Sequence, residues 1–179
     1  MIDPASGPFL FDTSAESWLA RNDHPEIHRW MRAYLSRHLV NVAAVTVLER
    51  IRGYALLWRR ARGDARERIE AMRVAYLALP RRVWTLDEAS AVVASEIMAL
   101  LPQPPTPERR THRLAESRRE RLVRWRFDAM IAATSLVAGT PLVHNNAGDF
   151  EAIRGAIERW PQRFPKLGPL ELIRCGSLV

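Results

Sequence analysis

At 179 residues the chain suits one domain, large enough to bury a core without disulfide or metal staples. Its 47% hydrophobic and 26% charged residues exclude a disordered chain, and its single cysteine, Cys175, excludes an internal disulfide or a thiolate metal site. The net charge of +7 is carried almost wholly by Arg, since Lys166 is the only lysine; this suits a polyanion or an acidic partner, because the guanidinium fork matches phosphate and carboxylate oxygens, although a GC-rich genome would produce the same bias.

Phe9-Leu10-Phe11 is a short apolar run that stops at Asp12-Thr13-Ser14, as a buried first strand would. A helix is predicted from Ala15 to Ala20 and another from Pro25 to His38, with Ile27, Trp30, Met31, Tyr34 and Leu35 on one face. Leu39 to Val45 reads as a strand covered on both faces. Thr46-Val47-Leu48-Glu49 has the spacing of a capping box, so a helix is expected to start there. Gly63 interrupts it before a second helical stretch, Ala65 to Leu79, ended by Pro80. A short strand from Arg82 to Leu86 precedes a helix capped by Asp87 and running to Leu101.

The run Pro102 to Pro107 is a loop within one domain spanning 1–179. A densely basic stretch from Arg109 to Arg126 leads into the small-residue helix Phe127 to Thr134, closed by Gly139. Pro141 to His144 is a further strand, Asn145 to Gly148 a turn, Asp149 to about Trp160 a helix, and Leu170 to Ile173 a last strand. Strands alternating with helices predict an α/β fold: a mostly parallel central sheet between helical layers. Ligands of such sheets lie beyond the carboxyl ends of the strands. Asp12, Glu49 and the Asn146 to Asp149 turn all stand there.

Each of these acids also has a purely structural reading: Asp12 and Asp149 could cap helices, and Glu49 could complete a capping box with Thr46. Asp128 differs, because it falls in an apolar helix where a lone carboxylate would be desolvated. It needs a cation, either a metal ion or Arg124 or Arg126. Convergent carboxylates are what hard divalent ions take, and such ions activate water against phosphate esters.

The order and contexts of these acids — FLFDTS, VAAVTVLER, RFDAMIAATSL and LVHNNAGDFEAI — resemble the four acidic motifs of PIN-domain nucleases, the VapC-type toxins of bacterial toxin–antitoxin pairs above all. The resemblance runs from Phe9 to about Ile173. It implies a PIN-like α/β/α sandwich, Mg2+ or Mn2+ as cofactor, and hydrolysis of RNA phosphodiester bonds. By similarity, Asp12 and Asp128 would be the main metal ligands, with Glu49 beside them and either Asp149 or Asn146 in the fourth position. The implied partners are an RNA substrate and a cognate antitoxin; a homodimer stays open.

Thr13 and Ser14 could orient a metal-bound water or a phosphate, or simply cap a helix. Arg110, Arg113, Arg118, Arg121 and Arg124 could engage RNA phosphates or an acidic antitoxin segment, or form a solvated face. His24 and His28 lie four apart but lack a third ligand, and Cys175 lacks a recognisable base. With neither a leader-like start nor ~18 uninterrupted apolar residues, a cytoplasmic location away from membranes is expected. Two other functions fit the same residues: a non-catalytic RNA- or partner-binding module, and a metal-dependent nuclease or phosphatase acting on another phosphate ester.

Overall fold

The computed structural model describes residues 2–21, 24–105 and 117–178. Among them, β1 (Leu10–Phe11), β2 (Val40–Ala43), β3 (Arg81–Trp84), β4 (Leu142–His144) and β5 (Leu172–Arg174) form one sheet in the order β3-β2-β1-β4-β5. Every neighbouring pair is parallel. Parallel strands need crossover helices. Here these are α1 (Thr13–Arg21) and α2 (Pro25–Leu35), α3 (Ala44–Arg60) and α4 (Asp64–Ala78), α5 (Glu88–Leu100) and α6 (Arg118–Ala138), then α7 (Ala147–Arg159).

Alternation along β1 divides the interior into two cores. Phe9 and Phe11 pack with Ala15, Trp30 and Tyr34 of the α1–α2 side. Leu10 packs with Ile97 of α5, Trp125, Ile131 and Leu136 of α6, and Phe150 and Ile153 of α7. The Tyr34 ring stacks on Trp30 and Phe9, and its hydroxyl accepts from the Phe9 backbone N–H at 3.1 Å. This ties α2 to the entrance of β1.

Several boundaries depart from the sequence expectation. The apolar run after Leu39 is strand only to Ala43, and Ala44 and Val45 already belong to α3. The expected capping box is therefore absent: the cap is Ala43, and Thr46 is buried inside the helix. Glu49 is released for another partner. A capping box does occur further on, where Ser117 and Glu120 reciprocally bond at the start of α6. The basic helix accordingly begins at Arg118, while Arg110 and Arg113 lie outside the described residues. Gly139 closes α6 in the left-handed conformation, at φ 58°, where a Cβ would be strained. Asp149 falls in the first turn of α7 rather than at its cap.

Candidate active site

The chain order reverses between β1 and β4, the two central neighbours from which it leaves in opposite directions. Beyond the carboxyl ends of such strands lies the crevice where open parallel sheets bind ligands. Asp12 directly follows β1, and its backbone N–H bonds to Val143 O at 3.0 Å. The Asp12 carboxylate is buried and accepts from Ala15 N at 2.5 Å. The Ser14 hydroxyl lies 2.7 and 2.9 Å from its two oxygens. That hydroxyl in turn accepts from Asn145 N at 3.1 Å, joining the ends of β1 and β4. Asp12 thus caps α1 at the carboxyl end of β1.

Thr13 turns toward α3 instead. Its hydroxyl donates to Glu49 Oε2 at 2.6 Å, aligning α3 with the start of α1. Across the crevice, α6 delivers Asp128 and α7 delivers Asp149, both buried. Asn146 Nδ2 spans the two, 3.0 Å from Asp128 Oδ2 and 2.7 Å from Asp149 Oδ2. The i,i+4 spacing suggests Arg124 as the partner of Asp128. Its Nη1 instead bonds Asp149 Oδ2 at 2.8 Å and stands 3.9 Å from Asp128 Oδ2. Arg124 therefore belongs to the acidic pocket rather than to a solvated basic face.

Electrostatics register the convergence. Burial pushes the Asp12 carboxyl up to about 6, against hydrogen bonds from Ala15 and Ser14 that hold it down, and the charge of Glu49 adds to the rise. The Asp128 carboxyl is raised well above the ordinary carboxylate range, first by burial, then by the charges of Asp149, Asp12 and Glu49; Arg124 opposes this. Cys175 nearby is pushed up to about 12 by burial and by Asp12, so at neutral pH it is a thiol and no nucleophile. His144 is buried against the Phe150 ring, and burial lowers its pKa, which leaves it neutral.

The donors suit Mg2+ or Mn2+ in kind, being hard carboxylate oxygens desolvated at a cost that a cation would relieve. Among the described residues, no three carboxylate, imidazole or thiol groups are gathered closely enough to chelate an ion as they stand. Mg2+ does not require this, since it retains several waters and takes one or two carboxylates directly.

Other sequence candidates lie apart. His24 and His28 are exposed, with His24 Nδ1 4.0 Å from Glu26. Arg118 and Arg121 stand at the start of α6, about 15 and 10 Å along the helix from Asp128; Arg121 Nη2 donates to Pro104 O. No described helix is long and apolar enough to cross a membrane.

No protein-family model and no curated protein matches this chain. Solved structures do. It superposes on a chain of DNA-bound VapBC from Salmonella typhimurium with a TM-score of 0.56 and 20% identity, over 93% of this chain and 97% of that one. For FitAcB from Neisseria gonorrhoeae the TM-score is 0.54 and the identity 21%, over 94% and 99%. For VapBC-1 from nontypeable Haemophilus influenzae they are 0.57 and 15%, over 94% and 98%. The chain has the PIN-like α/β fold of these structures, its sheet parallel throughout the described strands.

Proposed function

We propose that this protein is a Mg2+- or Mn2+-dependent endoribonuclease acting in the cytoplasm as the toxin of a toxin–antitoxin pair. One observation carries the reading: Asp12 and Asp128, delivered by different elements to the switch point of a parallel sheet, are both buried, and the charges of Asp12 and of the half-buried Glu49 both raise the pKa of Asp128. Buried like charges are a cost to the fold that structure alone does not offset. The PIN-like fold and its match to VapBC and FitAcB structures support the same class, and make an antitoxin the expected partner.

In this reading Asp12 and Asp128 hold the metal, with Glu49 beside them and Asp149 at the fourth position. The metal supplies a Lewis acid and a lowered pKa for water. Ser14 fixes the Asp12 carboxylate, Thr13 holds Glu49, and Asn146 fixes Asp128 against Asp149. Hydrolysis forms a bond from water oxygen to phosphorus, breaks the bond to the leaving nucleotide oxygen, and leaves a proton on that oxygen.

Asp12→Asn and Asp128→Asn should each abolish RNA cleavage while circular dichroism shows the fold intact. Full activity in either variant, together with EDTA-insensitive cleavage by the wild type, would remove the metal-nuclease reading. A second reading, a binding module without catalysis, draws on the capping bond of Asp12 and the pairing of Asp149 with Arg124; it expects RNA or protein binding with no divalent-ion response. A panel of RNA, DNA and small phosphate esters separates the ribonuclease from other phosphoesterases.

A further inference from the structure

Arg124 lies one helical turn before Asp128 and carries a fixed positive charge into the acidic pocket. Its contact, Asp149, arrives from another helix and is completely buried. Pinning α6 to α7 is the structural explanation, but a buried ion pair does that no better than apolar packing. Pinning also leaves unexplained why the guanidinium stands between two carboxylates, 3.9 Å from Asp128 one turn on, with 14% of its side chain open to solvent. Asn146 also donates to Asp149 Oδ2, so Arg124 and Asn146 both hold that carboxylate. An arginine held in place by one acid, beside a second acid of the proposed site, and partly open to solvent, has the planar fork that recognises phosphate oxygens.

We propose that Arg124 is the phosphate-contacting cation of this site and that Asp149 is a positioning residue which holds it, rather than a metal ligand. This rests on the ribonuclease reading above. The charge of the phosphodiester then meets the guanidinium on one side, while Asp12, Asp128 and Glu49 serve the metal. Asp149 already has the guanidinium as its counter-ion, so it does not need the metal for that role. Because the guanidinium stays protonated throughout, the contact does not depend on pH.

The test uses the full chain and a fluorescein-labelled single-stranded RNA, with binding followed in EDTA over a range of salt. Arg124→Gln should weaken binding about tenfold and reduce the slope of log affinity against log salt by about 0.7, as one lost phosphate contact does for a single strand. Asp149→Asn should weaken it similarly, and the double variant no further than Arg124→Gln alone. Arg124→Lys keeps a charge that Asp149 can hold, so it should keep the fold and the slope but lose about tenfold in kcat with the fork geometry. Calorimetry with Mg2+ alone should find Asp149→Asn within about threefold of wild type, a difference well under 1 kcal/mol. An unchanged salt slope in Arg124→Gln, with wild type still cleaving, would make the pair structural and overturn the proposal while sparing the ribonuclease. Loss of Mg2+ binding in Asp149→Asn would restore Asp149 as a ligand and overturn it too. A wild type that neither binds nor cuts RNA would overturn both.

Discussion

Asp128 decides more than any other residue, because burial and three neighbouring carboxylates act on it in the same direction. In the metal-free protein its charge opposes folding, so Asp128→Asn should melt higher than wild type in EDTA and gain much less from millimolar Mg2+. Wild type should gain about 2.7 kcal/mol at a hundredfold excess over Kd. Thermal melts of both proteins under both conditions check this; a variant that melts lower in EDTA and responds normally to Mg2+ takes Asp128 out of the site. Asp12 makes the matching pH prediction. Its folded pKa, about 6, exceeds the ordinary 3.8, so its contribution is full below 3.8 and lost as pH rises through 6. The loss amounts to about 3 kcal/mol. His144 has the opposite sign: its lowered pKa contributes stability above 6.5 that is lost as pH falls. Metal-free wild type should therefore weaken as pH rises from about 4 to 6, and Asp12→Asn, whose amide still caps α1, should weaken less over that window, keeping only the Asp128 and His144 contributions. Coincident urea-denaturation profiles for the two proteins across this range would contradict the burial of a strained carboxylate.

Between elements, a second network places the acidic helices. Glu16 of α1 bonds Arg50 of α3 at 2.9 Å and lies 4.0 Å from Arg81 of β3. The Arg81 and Arg50 guanidinium carbons sit 4.0 and 5.6 Å from the centre of the Tyr76 ring of α4. With Thr13 on Glu49, α1 and α3 are joined at two successive points. Glu16→Gln leaves two largely buried cations without their carboxylate, and should cost about 3 kcal/mol in urea unfolding; a change under about 0.5 kcal/mol would give the network only the value of a surface pair. Local sequence was a mixed guide at this scale. The S/T-x-x-E pattern at Thr46–Glu49 is no cap, while the same pattern at Ser117–Glu120 is one. Four residues cannot tell these apart, because the start of α3 depends on where β2 ends beside β1 and β3.

For the molecule as a whole, +7 net charge and an Arg-rich helix make polyanion binding the electrostatic expectation. Arg118 and Arg121 lie well away from Asp128, so under the proposed function their place is in RNA-backbone or partner binding rather than in chemistry. Converting Arg118, Arg119 and Arg121 to Gln should flatten the salt slope of RNA binding by about 2 if all three meet phosphates, with cleavage at saturating RNA unchanged. An unaltered slope would leave them to solvation or to an acidic segment of the proposed protein partner, which a binding titration with that partner would resolve.

Sequence by itself determined the alternation of strands and helices, their parallel consequence, the glycine closure at Gly139, and the acids standing after strands. All of these follow from local apolar period, turn chemistry and burial preference, which operate over a few neighbouring residues. Only tertiary structure decided that Asp12, Glu49 and Asp149 come near enough for their charges to act on Asp128, because that depends on the sheet order reversing at β1 and β4. Tertiary structure also gave Arg124 to Asp149 instead of to Asp128 one turn away. A side chain chooses between two acids by where α7 packs against α6, and helical spacing carries no information about that packing.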